Sequence, residues 1–386
     1  MIVRGVSAKT ILDTRGEKTI SVSINTNVGE FNASAPNGKS TGKYENDSYK
    51  KNIDEDIKTI KKFSDYFSEE KIEVFDDLTR IEDVIKDAVG ANTLFALESA
   101  VLKAMAKEKK KEIWQLINPS AKKFPRLLGN CIEGGKHSHS DKKPDFQEFL
   151  LIPNEKTVKE SFELNKKLRE KLHTELKIAD EKFKGKKDDE GGWEVSLNEK
   201  AVLDVIERFD LNIGVDIAAS TFHKRKKYLY NNPMLKRDPE EQLDYISNLI
   251  KNFNLLYVED PFEENDFESF AKLLKRFPNS LITGDDLTVT DFNRLRKAIS
   301  VKSVNAIIVK PNQTGSLIEV KNVCELARKN DIRLVFSHRS GETEESILAD
   351  LAFGFQADFF KAGIIGKGRE IKIKRLIEIE KDLGKS

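Results

Sequence analysis

At 386 residues, with 38% hydrophobic and 34% charged residues, the chain is long enough for two or three domains with ample core and a heavily charged surface. A net charge of +1 excludes a global electrostatic footprint for nucleic acid or for an anionic membrane. The two cysteines, Cys131 and Cys324, are far apart and offer neither a disulfide framework nor paired metal spacing. Met1–Ala8 carries no secretory pattern and no apolar run approaches bilayer length, so the cytoplasm is the expected compartment. The basic runs Lys107–Lys111 and Lys224–Lys227 are expected to be solvated helix ends.

The first 34 residues predict strands. Ile2–Val6 leads in, and Ile20–Ile24 alternates apolar and polar with period two. Leu12–Gly16 between them is turn-like. Asn37–Gly42 is a loop rich in residues that tolerate unusual backbone angles, and its N–H groups and hydroxyls could meet an anion or a metal. Ile53–Phe67, Ile81–Val89 and Asn92–Lys111 carry apolar residues at helical spacing. Strands followed by helices make an α+β layer. Pro119 and Pro125 flank a basic connector, which places a domain boundary between residues 1–121 and 122–386.

Past that connector, Leu127–Ile132 predicts a strand and Glu133–Ser140 a loop in which His137 and His139 stand two apart with no third ligand nearby. Asp145–Ile152 predicts a second strand, with Gln147 and Glu148 among large apolar groups. Val158–Leu176 and Leu197–Phe209 predict helices around the acidic turn Asp188–Gly192.

From Leu211 to Ile365 one pattern recurs. A short apolar run stops at a polar group, and a helix-like segment follows. The stops are Asp216, Glu259, Asp285, Lys310, Ser337-His338-Arg339 and Lys361. Short strands alternating with helical patterns predict parallel βα units, and polar groups at strand C-termini are where a (β/α) barrel keeps its chemistry. Asp216, Glu259 and Asp285 would repel one another unless a cation sat between them, and rigid oxygen ligands suit Mg²⁺. Lys310 follows as a candidate base whose pKa neighbouring cations would depress. Glu190 or Glu148 could supply an acid. Arg339 and Ser340 can bind a phosphate or carboxylate, with Lys361 a second anchor. The constellation points to metal-assisted proton abstraction from a small, highly anionic substrate.

These residues lie in motifs that resemble enolase over nearly the full length: Val258–Phe262, Gly284–Thr290, Lys310–Gly315 and Ser337–Thr343, with Phe146–Phe149, Asp189–Gly192, Ser40–Gly42 and Asp13–Gly16 beside them. The resemblance implies an α/β fold, a modified (β/α)8 TIM-type barrel with an N-terminal α+β capping domain, working as a homodimer or higher homo-oligomer. It implies reversible dehydration of 2-phosphoglycerate to phosphoenolpyruvate with Mg²⁺. On matching positions, Asp216, Glu259 and Asp285 would hold the first metal and Ser40 would reach the second. Lys310 would take the C2 proton, and Glu190, assisted by Glu148, would protonate the leaving hydroxyl. Lys361 would contact the carboxylate and Arg339 and Ser340 the phosphate, with His137, Gln147 and His338 also against substrate. The sequence departs from the family pattern at Lys39, Lys136, Lys186–Asp188, Pro311 and Ala362–Ile365. Two other readings accompany the first: an enolase-like enzyme acting on another phosphorylated or acid-sugar substrate, and a non-catalytic binding paralogue.

Overall fold

The computed structural model describes residues 1–39, 42–67 and 71–384. The chain opens with an antiparallel meander of β1 (Val3–Leu12), β2 (Lys18–Thr26) and β3 (Gly29–Ser34). The expected first strand runs on to Leu12, because its pairing with β2 continues to Leu12 opposite Lys18. Helices α1 (Ile53–Phe63), α2 (Leu78–Ile85), α3 (Ala91–Lys109) and α4 (Ile113–Ile117) follow. The Asn52 side chain caps α1 by accepting from Glu55 N at 3.0 Å. Of these four helices α3 is buried on nearly every face, with Leu94, Leu97, Val101 and Met105 against the meander and its neighbours.

The barrel begins with β4 (Arg126–Glu133) and β5 (Glu148–Ile152), then α5 (Val158–Ala179), the two-residue β6 (Trp193–Glu194), α6 (Glu199–Ile206) and β7 (Asn212–Asp216). An antiparallel insert of β8 (His223–Lys224), β9 (Lys227–Asn231) and β10 (Met234–Arg237) comes next. Lys224–Lys227 is therefore the tip of a hairpin, not a helix end; Arg225 and Lys226 sit at φ +52° and +61°, as its turn requires. Lys107–Lys111 does close a helix. Regular βα alternation then takes over: α7 (Pro239–Phe253), β11 (Tyr257–Glu259), α8 (Phe267–Arg276), β12 (Leu281–Gly284), α9 (Phe292–Val301) and β13 (Ala306–Val309). The chain ends through α10 (Pro311–Thr314), α11 (Leu317–Lys329), β14 (Arg333–Ser337), α12 (Ile347–Gly354), β15 (Phe359–Lys361) and α13 (Lys367–Asp382). Asp238, Asp266 and Asp291 each cap the helix that follows a strand, and Ser316 caps α11 after α10.

Eight strands close a ring in the order β4, β5, β7, β11, β12, β13, β14, β15, with β15 pairing back onto β4. All neighbours are parallel except those of β5, which runs antiparallel to both β4 and β7. Successive side chains on a strand point to opposite faces. Leu128, Leu150, Tyr257, Ala306, Ile308, Val335 and Phe359 form one apolar plug, while Ile307, Val309, Leu334 and Phe336 join the larger core under the helices. Two residues beyond the plug, toward the strand C-termini, the same inner face carries Glu259 after Tyr257, Lys310 after Ile308, Ser337 after Val335 and Lys361 after Phe359. Period two therefore stacks a polar layer on an apolar floor.

Candidate active site

The reversed strand β5 explains why Glu148 belongs with groups that end strands. Its first residue lies where its neighbours have their last, and Glu148 pairs in register with Asp216 on one side and Glu133 on the other. The other predicted residues arrive at the same barrel mouth. Asp216, Glu259 and Lys361 close β7, β11 and β15, while Asp285 and Lys310 stand one residue past β12 and β13. The cleft there is lined by His137, Gln147, Glu148, Glu190, Asp216, Asp285, Lys310, His338, Arg339, Ser340 and Lys361. Ser40 lies outside the described residues. His139 does not join His137: its side chain is exposed, while its backbone N–H donates to Glu194.

Two lysines interleave with the acids. The Lys361 ammonium, 3% exposed, stands 2.6 Å from Glu148 Oε2, 2.9 Å from Asp216 Oδ2 and 2.8 Å from Glu259 Oε2. Lys310 pairs with Asp285. The three acids expected to share one cation are thus divided between two ammonium groups. Burial pushes the Lys361 and Lys310 amines down, but the acids they touch outweigh it and both stand above the ordinary lysine range. This corrects the expectation of a depressed Lys310, because its nearest partner is a carboxylate rather than a cation. Burial and Asp216 raise Glu259 to about 8. Tyr257, from the apolar plug, donates its hydroxyl to Glu259 Oε2 at 2.6 Å.

The opposite wall is acidic and imidazole-rich. Asp188 shapes the turn before Glu190 by accepting from Glu190 N at 2.9 Å and Gly192 N at 2.8 Å. Glu190 Oε2 lies 3.2 Å from His338 Nε2, and Glu190 Oε1 lies 3.7 Å from His137 Nδ1. His137 also approaches Glu133 Oε1 at 3.2 Å. Burial raises Glu190, but His338, Arg369, His137 and Lys361 together hold it below the usual carboxylate range. Burial pushes Glu148 and Glu133 well up, and the neighbouring acids reinforce it. Burial and mutual repulsion thus favour a proton on the Glu148 and Glu133 side of this wall, and the surrounding cations and imidazoles favour the ionised form of Glu190. Burial holds both His338 and His137 below the ordinary imidazole value.

At the third side, Ser340 Oγ accepts from Lys39 N at 2.7 Å and from Arg15 Nη1 at 3.4 Å. Lys39 Nζ lies 3.6 Å from Asp189. Gln147 donates to Asp216 Oδ2 at 3.4 Å. Of the other departures from the family pattern, Lys136 is exposed and Pro311 starts α10, where its fixed φ and missing N–H are tolerated. Ile364 is buried, and Ile365 packs on Gly191.

The donor set fits a hard divalent cation. Glu259 Oε1 and Asp285 Oδ1 are buried carboxylate oxygens with no hydrogen-bond partner among the described residues. Asp260, Asp285 and Asp286 bring one ligand atom each within 4.8 Å of one another, as do Glu148, Glu190 and His338. Asp260 was not foreseen. It accepts from the Asp285 and Asp286 backbone N–H groups at 2.9 and 2.7 Å and so fixes the loop that carries Asp285. Glu45, also unforeseen, pairs with Arg339. Asp260 follows Glu259 directly in sequence and could have been suspected there; nothing in the sequence marks Glu45.

Comparison with known proteins agrees with this architecture. Residues 122–386 match the family model described as Enolase, C-terminal TIM barrel domain, and residues 3–117 match Enolase, N-terminal domain. The chain is 36% identical to "Enolase" of Methanosphaera stadtmanae, covering 99% of this chain and 97% of that one. It is 34% identical to "Enolase" of Pyrobaculum aerophilum over 96% and 92%, and 36% identical to "Enolase" of Sulfurisphaera tokodaii over 99% and 96%.

Proposed function

The chain belongs to the enolase family, whose members are phosphopyruvate hydratases of the lyase class, and on that premise we propose the roles of its residues. The barrel mouth dehydrates 2-phosphoglycerate to phosphoenolpyruvate and catalyses the reverse. The observation that carries this reading is the cleft lined at once by a partly buried lysine, Lys310, by the Glu148 and Glu190 carboxyls and by Arg339. Lys310, in its neutral form, takes the C2 proton. The electron pair moves into the substrate carboxylate, beside the Lys361 ammonium, as an enediolate. Collapse of that pair expels the C3 hydroxyl, which takes up a proton from the Glu148–Glu190 wall. Glu190, assisted by Glu148, supplies that proton, and burial, which pushes Glu148 up, favours a proton on this pair. Arg339 and Ser340 hold the phosphate, with His137, His338 and Gln147 against the remaining polar atoms.

Asp216, Glu259 and Asp285 would hold a divalent cation, proposed as Mg²⁺, which supplies charge stabilisation for the enediolate carboxylate when bound. We further propose a boundary near residue 121, a cytoplasmic location and a homodimer or higher homo-oligomer. No described helix is long and apolar enough to cross a membrane. A second reading, turnover of another phosphorylated or acid-sugar substrate, draws on Lys39, which adds a cation at the cleft edge beside Asp189.

Appearance of phosphoenolpyruvate absorbance from 2-phosphoglycerate with Mg²⁺ is the test. Lys310→Ala is expected to lower kcat by about 10²–10⁴-fold, the usual range for a positioned base. Absence of turnover by the unaltered chain would sink the proposal.

A further inference from the structure

We propose that Glu45, from the first domain, is a positioning residue that aims the Arg339 guanidinium at the substrate anion. The proposal rests on the reading of Arg339 as the phosphate-binding group. Arg339 Nη2 donates to Glu45 Oε2 at 2.8 Å, and the two side chains are 5% and 7% exposed. Arg339 Nη1 donates to Asn312 Oδ1 at 3.4 Å. A guanidinium has five N–H donors in a rigid fork. Glu45 and Asn312 take one each, so the fork is oriented and N–H donors remain for an anion.

Glu45 is also the junction of a longer network. Its Oε1 accepts from Gly42 N at 2.9 Å and from Gln313 Nε2 at 3.3 Å. Gln313 Oε1 in turn accepts from Thr290 Oγ1 at 2.7 Å, and Thr290 Oγ1 accepts from Lys310 N at 2.9 Å. One unbroken path thus joins the backbone of the proposed base to the anion-binding arginine, and Glu45 is its only first-domain side chain. The fork is closed off from behind as well. A Cβ on Gly38 would lie 2.0 Å from Arg339 Nη2, so first-domain backbone packs directly against it.

The residues beside Glu45 have anchors of their own. Tyr44 donates to Asn265 Oδ1 at 2.9 Å and lies under the Arg294 guanidinium at 3.9 Å from its ring centroid. Asn46 N donates to Gln313 O, and Asn46 Nδ2 to Thr314 O, each at 3.1 Å. Removing the Glu45 carboxylate therefore leaves this stretch docked and frees mainly Arg339.

The test uses the full chain, with inorganic phosphate as a probe by calorimetry and 2-phosphoglycerate as substrate. Glu45→Ala is expected to weaken phosphate binding and raise KM by about tenfold or more, with kcat within about threefold and an unchanged pH–rate profile, since one lost charge-assisted hydrogen bond is of that order. Glu45→Gln, which keeps an acceptor but loses the charge, is expected to lose about three- to tenfold. Phosphate affinity equal to or tighter than that of the unaltered chain in both variants overturns the proposal, and so does a loss confined to kcat. If Glu45→Ala does not fold, Glu45→Gln decides alone, and phosphate affinity within about twofold overturns it. Phosphate binding indifferent to Arg339→Ala overturns it too. Failure of the unaltered chain to form phosphoenolpyruvate removes the proposed reaction but leaves the phosphate arm readable.

Discussion

Replacing Lys361 by Met removes an ammonium while keeping most of the methylene stem, so the change is close to one of charge alone. The lysine holds three buried carboxylates at 2.6–2.9 Å. At an effective dielectric of about 20, each such contact with an ionised acid is worth about 6 kcal/mol of gross attraction. Most of that is offset by desolvation of the ammonium and by repulsion among the acids it gathers. Breaking a buried pair from one side costs about 3–5 kcal/mol. For a chain of this length that corresponds to a fall in Tm of about 4–6 °C. The loss has a pH signature. Without Lys361, Glu148 and Glu259, which burial already raises above their unfolded values, gain protons still more readily in the folded state. Such groups contribute stability that is fully present below the ordinary carboxylate value and disappears as pH rises through the folded value. Burial and Asp216 already raise Glu259 to about 8. The deficit of the variant is therefore expected to grow as pH rises through about 8, where Glu259 ionises in the unaltered chain but not in the variant, and to be smaller toward pH 5. Differential scanning calorimetry from pH 5 to 9 measures it. A Lys361→Met Tm within about 2 °C of the unaltered chain at pH 9, or a deficit no larger at pH 9 than at pH 5, would refute the argument.

Two further outcomes follow from single positions. Glu98 lies in α3, fully buried at the contact with the barrel, and accepts from Leu317 N at 2.7 Å; burial and then Glu82 raise its carboxyl well above the ordinary value. Its contribution to stability is present below about pH 4.5 and lost as pH rises toward its folded value, so Glu98→Gln should flatten the alkaline fall of Tm, and parallel Tm–pH curves would contradict this. Gly38→Ala drives a methyl group into Arg339 and should raise KM several-fold while moving Tm by no more than about 2 °C, as steady-state kinetics and calorimetry would show.

Much of the site was legible because a strand has a two-residue period. The apolar runs before Glu259, Lys310 and Lys361 put those groups on the face that carries the barrel plug. Helix starts are set by an equally local rule, since Asp238, Asp266 and Asp291 satisfy backbone donors two or three residues away. The insert β8–β10 was not, because its basic tip carries the same composition as a solvated helix end. Nor was the reversal of β5, on which the placement of Glu148 depends: a single strand has the same pattern in either direction.

By itself, then, the order of residues determined the strand ends, the helix caps and the list of groups that could do acid, base and metal chemistry, because each depends on neighbours a few residues away. Only the tertiary structure decided which of those groups touch. Lys361 stands among Glu148, Asp216 and Glu259, which lie 102 to 213 residues earlier in the chain and approach it only when the ring closes. Closure also brings Glu45, from the first domain, against Arg339. The protonation states of Glu148, Glu190 and Lys310 were likewise decided there, because burial and the nearest charge set them, and neither exists until the barrel and its cap are assembled.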